Sequence, residues 1–206
     1  PATDHKDRRL LALTSIMGHL PAEYFQYYYF RDEILAELRA KPTTRSQDIL
    51  AQVPDYWSHY REQATMETPS LDPQRSRGGI HELELAIDVM DAMYNDRREV
   101  HPVNLVNHGT IPGIGDDIVV EVQGVVDRHG IATITSAPIP SHLRGLIQQL
   151  AEYQSLAADA AWHGNRADGI RALISNPLVQ TIDKAENVFN ELAAAQRHLL
   201  PERLFA

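Results

Sequence analysis

Six of the fourteen aromatic side chains fall between positions 24 and 30, in the run Tyr24-Phe25-Gln26-Tyr27-Tyr28-Tyr29-Phe30. A phenol becomes a base when a nearby positive charge lowers its pKa from about 10, because the phenolate is then the stabilised form. Pro21 suits the first position of a helix, where its missing N–H is no loss. Tyr24 then falls in the first turn, beside the positive end of the helix dipole. It is the phenol best placed to be acidified. The run also has a structural reading, because a helix with aromatics on every side is a central helix packed all round.

The other chemistry-bearing residues form weaker patterns. Ten histidines invite a metal, but His81-Glu82 is followed by Leu83-Glu84-Leu85, so the second histidine of a zincin motif is missing. His101 and His108 stand seven apart around an expected strand, which is no recognised ligand spacing. No metal site built wholly from this chain is expected. Gly113-Ile114-Gly115 lacks the third glycine of a dinucleotide fingerprint and leads into a strand, so it reads as a turn. No nucleophile elbow, Walker loop or kinase motif occurs. Trp57 and Tyr60 near Arg61 could stack a nucleobase, but in an acidic chain they read as packing residues.

The elements that must position these residues follow from periodicity. Leu10, Leu11, Leu13 and Ile16 mark a short helix over 7–17, interrupted by Gly18-His19-Leu20-Pro21. The next helix is expected to run from Pro21 to about Ala40. Tyr27, Phe30, Ile34 and Leu38 form one stripe, and Tyr24, Tyr28, Arg31 and Leu35 the neighbouring one. Lys41-Pro42-Thr43-Thr44 ends that helix and offers an N-cap for a third one with Ile49, Leu50, Val53 and Trp57 inward, which Pro54 is expected to kink or split. Residues 65–79 read as a loop, and Leu83, Ala86, Ile87, Met90, Met93 and Tyr94 as an amphipathic helix. Alternation then predicts strands at 103–106, 118–123 and 131–135, with a turn at Asp127-Arg128-His129-Gly130. Ser141 is expected to cap a long helix through Ala161, and shorter helices follow at 166–175 and 181–199. The expected fold is α+β: mostly helical, with one small antiparallel sheet inserted past the middle. No repeat or long linker divides it.

Composition narrows the class. A chain of 206 residues buries about 70% of its unfolded surface, so it folds without disulfides or metal. Cysteine is absent, which removes thiolate nucleophiles, Cys-containing zinc sites and iron–sulfur clusters. A net charge of −9 argues against nucleic acid or an anionic membrane as partner. No run approaches a membrane span, and no signal peptide opens the chain. Pro1 rather than Met stands first, so the chain is expected to be trimmed or a piece of a longer one.

Nine pieces in order carry a resemblance. Pro21-x-x-Tyr24-x-x-Tyr27-Tyr28-Tyr29 continues into Arg31-Asp32-Glu33-Ile34-Leu35-Ala36. Thr44-Arg45, Arg77-Gly78-Gly79, Tyr94-Asn95-Asp96 and Asn107-x-Gly109-Thr110-Ile111 follow. Val119-Val120-Glu121-Val122, Arg144-Gly145-Leu146, Asn176-Pro177-Leu178-Val179 and Leu199-Leu200-Pro201 complete the set. The chain resembles the C-terminal half of the NAD- and metal-dependent glycoside hydrolases of family 4, and is most similar to their 6-phospho-β-glucosidases. The resemblance implies a lactate/malate dehydrogenase C-terminal-domain-like fold. It makes residues 1–206 a single C-terminal catalytic and substrate domain. The N-terminal Rossmann domain that binds NAD is absent from this chain. So are the cysteine and histidine that hold the divalent metal, manganese. Ile80-His81-Glu82-Leu83 depart from the family's small residue and tyrosines.

The resemblance also implies a mechanism outside the two-carboxylate scheme. NAD oxidises the sugar's C3 hydroxyl, a tyrosine removes the acidified C2 proton, the leaving group at C1 is eliminated, and water adds back before C3 is reduced. By motif position the base is Tyr24, with Tyr28 in reserve. Arg45 contacts the substrate and its 6-phosphate, a role suited to the planar guanidinium fork. By itself Arg45 reads as a solvated arginine at a helix start. Arg77 and Asn107 are further cleft candidates. The partner implied is a 6-phosphorylated glycoside, and the protein a cytoplasmic homo-oligomer, dimer or tetramer. This chain alone is expected to be inactive. Two alternatives stand beside this reading: an α-galactosidase or other glycosidase of the same family, and a non-catalytic oligomerisation module.

Overall fold

The computed structural model describes residues 5–70, 72, 74, 75 and 79–205, with side chains for all of these except 79–84. The element order begins with α1 (His5–Met17), a 3-10 turn (Glu23–Phe25), α2 (Gln26–Tyr29), α3 (Arg31–Ala40), α4 (Arg45–Ala64) and α5 (Gly79–Tyr94). Three strands follow, β1 (Glu99–Val106), β2 (Val119–Asp127) and β3 (Gly130–Thr133). The chain closes with α6 (Ser141–Trp162), α7 (Arg166–Ser175), α8 (Ile182–Ala195) and 3-10 turns at Arg197–Leu199 and Glu202–Leu204. The strands form one sheet of order β1-β2-β3. β2 pairs antiparallel with β3, from Gly124 opposite Thr133 to Asp127 opposite Gly130. This is the expected α+β architecture, with the sheet past the middle. Among the described residues no helix is long and apolar enough to cross a membrane.

The chain forms two compact units, each drawn from separate segments. The first takes Pro1–Tyr28, Asn104–Val122 and Thr135–Ala206. Besides α1 and most of α2 it holds α6, α7 and α8, and the buried residues of these last three are mostly small: Ala160, Ile170, Ala172, Ala185 and Ala193. Small side chains let helix backbones approach, and Gly169 shows how closely. A Cβ added there would lie 2.4 Å from Cε2 of Phe189. Local sequence sets the ends. The Asn165 side chain accepts from Ala167 N (2.8 Å) and Asp168 N, and Asp168 reaches back to Asn165 N, a capping box that opens α7. The Asn165 backbone N–H, then Arg171, hold the Asp168 carboxyl below its usual range. At the end of α6, Arg203 Nη2 donates to the carbonyls of Ala161 (2.7 Å) and Trp162 (2.8 Å), acceptors without helical partners.

The second unit takes Tyr29–Val103 and Gln123–Ile134. Among the described residues Ile34, Ala92, Val103 and Val126 are its buried apolar ones. Gly124 lets strand residues close over it: a Cβ there would lie 2.8 Å from Ile131 Cγ2 and 2.9 Å from Val103 Cγ2. Asp127 Oδ1 accepts from His129 N (2.8 Å) in the β2–β3 turn, as its Asp-Arg-His-Gly sequence predicts. Asp96 pairs with the Arg128 guanidinium, which holds its carboxyl below the usual range.

Three expectations need correction. The helix expected over 21–40 is broken: Ala22 is extended, a 3-10 turn leads into α2, and Phe30 (φ −122°, ψ 35°) leaves the helical region before α3. Pro54 does not split α4, which runs through it from a Thr44–Gln47 capping box. The expected inner faces are also wrong in part. Leu50 and Trp57 of α4 and Ile87, Met90 and Tyr94 of α5 are exposed, while the buried residue of α4 is His59. Periodicity marks an apolar face but not whether this chain covers it. In the 65–79 loop, residues 71, 73 and 76–78 lie outside the described residues.

Candidate functional site

The tyrosine segment separates into two faces. Gln26, at its centre, is buried and accepts from Arg9 Nη1 of α1 (3.4 Å). Glu23, at its start, pairs with Lys6. These two ties hold the turn against α1 and set which residues point outward. Phe25 and Tyr28, three apart, meet edge to face with centroids 6.4 Å apart. The neighbouring pair, Tyr24 and Tyr27, is also three apart. Its rings are nearly parallel, 22° between planes and 6.3 Å between centroids. Tyr24 is 67% exposed and Tyr27 37%. Among the described residues the Tyr24 hydroxyl makes no hydrogen bond. An exposed phenol with a free hydroxyl is available to a substrate proton, as general base catalysis requires.

The surroundings of Tyr28 differ. Its pKa is raised, first by burial and second by the nearby Tyr153 phenol, so the neutral form is favoured. The central helix packed on every side is not what this chain forms, because Tyr24, Tyr27 and Tyr29 all stand exposed. The long helix dipole expected behind Tyr24 is likewise cut short at Phe30.

Arg45 belongs to the second unit, Tyr24 to the first. Arg45 is the first residue of α4, after Thr44, whose hydroxyl accepts from Gln47 N (3.3 Å) while Gln47 Oε1 accepts from Thr44 N (2.8 Å). The arginine is exposed and has no side-chain partner among the described residues. A cation at the positive end of a twenty-residue helix is locally unfavourable by a few tenths of a kcal/mol, and a bound anion would reverse the sign.

Asn107 is not a cleft residue. It is fully buried, and its Nδ2 donates to the carbonyls of Ile114 (2.9 Å), Ile111 (3.2 Å) and Gly115 (3.3 Å) while its Oδ1 accepts from Ile111 N (2.7 Å). The side chain replaces the ladder a loop lacks, and explains Gly113-Ile114-Gly115 as a turn. Gly113 takes φ +88° there, a value suited to glycine. That geometry does not fit a dinucleotide, since no helix opens after these glycines. Arg77, the other cleft candidate, lies outside the described residues, and the side chains of Ile80, His81, Glu82 and Leu83 are not described. Sequence reasoning missed the pairing of Tyr27 with Tyr24, although their spacing of three was the available signal. It also missed the buried Arg9, Gln26 and His59, which break no visible period.

Comparison with known proteins gives a consistent result. The model of the family 4 glycosyl hydrolase C-terminal domain matches residues 3–179. A probable 6-phospho-beta-glucosidase of Bacillus subtilis (strain 168) is 31% identical over 187 residues, covering 89% of this chain and 42% of that protein. The 6-phospho-beta-glucosidase of Escherichia coli (strain K12) is 31% identical over 189 residues, 88% of this chain and 41% of the relative. The fold matches a 6-phospho-alpha-glucosidase from gut microorganisms, solved with NAD and glucose-6-phosphate. The TM-score is 0.80 at 23% identity over 96% of this chain and 44% of the other. It also matches the Thermotoga maritima 6-phospho-beta glucosidase with NAD and glucose-6-phosphate, at TM-score 0.76 and 21% identity, over 86% and 42%. The chain thus spans about two-fifths of the length of the curated relatives it matches. With most of its length matched in sequence and nearly all of it in fold, the chain belongs to the family 4 glycosyl hydrolases, as their C-terminal domain.

Proposed function

We propose that this chain is the catalytic and substrate domain of a glycosidase acting on 6-phosphorylated glycosides, with Tyr24 as the base and Arg45 as the phosphate contact. The observation that carries the reading is the Tyr24 phenol, exposed and without a hydrogen-bonded partner among the described residues, at the family's tyrosine motif. Tyr24 takes the proton from C2 of the sugar, and the electron pair released expels the leaving group from C1. Hydride chemistry at C3 belongs to NAD, for which no glycine-rich strand–helix unit occurs among the described residues. Manganese, in the same reading, is held by residues outside this chain, which has no cysteine. Arg45 offers a bidentate fork to the 6-phosphate dianion, beside the dipole end of α4. The two relatives at 31% identity, both 6-phospho-beta-glucosidases, support a β-linked substrate. In this reading the complete protein is a cytoplasmic homo-oligomer. The exposed apolar residues of α5 support a partner surface.

The test is Tyr24→Phe in the complete protein. The variant keeps the ring and removes one oxygen, so folding should survive with a stability change near or below 1 kcal/mol. Loss of a general base should lower kcat on a 6-phospho-β-glucoside by about 10²–10⁴. A rate within about threefold of wild type, under 1 kcal/mol of barrier, assigns the proton to another group.

A further inference from the structure

The Tyr24–Tyr27 pair leaves one ring without a task. Tyr24 supplies the base in the reading above, while Tyr27 lies alongside it, nearly parallel, and remains accessible. The same turn directs Phe25 and Tyr28 together as a separate edge-to-face pair, and Gln26 is buried against Arg9. Tyr27 is therefore not consumed by the packing that fixes the turn. An accessible aromatic face beside a reacting centre is a platform for a flat or apolar ring, because stacking asks only for a π-face. The charged part of the substrate has a different receptor chemistry in the guanidinium of Arg45. The atom next to the one Tyr24 deprotonates is C1, which carries the leaving group. We propose that Tyr27 is the platform for the aglycone, stacking on the ring that departs from C1 and setting a preference for aryl and glycosyl leaving groups over small alkyl ones. This rests on the assignment of Tyr24 as base.

The proposal separates Tyr27 from a residue that merely holds the turn. A structural role weakens all substrates alike, whereas a platform weakens only those with a ring to stack. The measurement is kcat/KM of the complete protein and its Tyr27→Ala, Tyr27→Phe and Tyr27→Trp variants on methyl, phenyl and glucosyl β-glucoside 6-phosphates. Tyr27→Ala is expected to lose about three- to tenfold on the phenyl and glucosyl substrates, the scale of one ring contact. Its methyl substrate should stay within about twofold, and Tyr27→Phe and Tyr27→Trp should retain the preference. An equal loss on all three substrates, or no loss on any, overturns the proposal. Equilibrium binding of phenyl β-glucoside 6-phosphate to the same proteins gives a readout independent of turnover. If the wild type cleaves none of these substrates while Tyr27→Ala still binds the phenyl compound at least threefold more weakly, Tyr27 stacks on the ring but its role toward a leaving group falls with the glycosidase reading. Unchanged binding removes the platform whether or not turnover is seen.

Discussion

Tyr24 and Tyr28 are one helical turn apart, and their surroundings decide what each can do with a proton. Burial, then Tyr153, raises the Tyr28 pKa, so this phenol holds its proton longer than an ordinary tyrosine. Between the unfolded value of about 10 and that higher folded value, the folded chain binds more protons than the unfolded one. Stability from this group is thus intact below about pH 10 and lost as pH rises through the folded value. Ultraviolet titration of tyrosinate should show a late-titrating phenol that disappears in Tyr28→Phe; an unchanged titration curve would assign the late phenol elsewhere. Arg45 makes a second residue-scale prediction. Arg45→Ala should cost about 2–4 kcal/mol in kcat/KM on 6-phosphorylated substrates, and Arg45→Lys should recover part of it, since an ammonium lacks the fork. Measured on paired glycosides with and without the phosphate, an equal loss on both makes Arg45 structural. A wild-type preference for the unphosphorylated sugar would favour an α-galactosidase or similar specificity.

The elements depend on a few local devices whose failure is measurable. Gly169 allows α7 to approach Phe189 of α8, and an added Cβ at 2.4 Å must displace the ring. Gly169→Ala should therefore destabilise by about 1–3 kcal/mol despite alanine's better helix propensity. Calorimetry should show a fall of several degrees in midpoint, at roughly 2–4 °C per kcal/mol for a chain of this size. A rise would mean that Phe189 swings aside freely and propensity wins. Phe30 is the other decisive position, because its departure from helical dihedrals separates α2 from α3 and leaves Tyr24 on a short turn. The capping pairs at Thr44–Gln47 and Asn165–Asp168 show the opposite case, in which sequence spacing alone dictates where a helix begins.

At the scale of the whole molecule, the chain is two compact units spanning about two-fifths of its relatives' length. Its glycine-rich segment is a turn around Asn107, and it contains no cysteine. The proposed chemistry needs NAD and a metal ion together, so the 206-residue chain alone should not hydrolyse a chromogenic 6-phospho-β-glucoside, even with both added. Turnover by the purified chain would overturn the mechanism proposed for Tyr24. An apolar cavity of about 260 Å³ lies in the first unit between Tyr153, Ala157, Gly169, Phe189 and Leu204. It reflects the small side chains through which α6, α7 and α8 approach, so its walls are a consequence of packing rather than a polar site.

Sequence alone determined the class of the fold and the three strands with their turn, because these depend on short-range spacing, and motif order carried the family. The cap expected at Ser141 falls instead at Pro140, with no side-chain bond. Alternation at 118–123, the Asp127–Gly130 turn and a cap within Lys41-Pro42-Thr43-Thr44 each act within a few residues, and all were legible. The assignment of Tyr24 and Arg45 rests on motif order. Only the tertiary structure decided which faces this chain covers. Ile87, Met90 and Tyr94 share the period of a core helix and stand exposed, whereas Arg9, Gln26 and His59 look like surface residues and are buried. Asn107 looked like a cleft residue and proved to be the hub of a loop. The reason is physical: periodicity records which side of an element is apolar, while burial depends on segments far apart in the chain. The pairing of Tyr27 with Tyr24 is of the same kind, because spacing allows two rings to meet and only the fold around the buried Gln26 decides that they do.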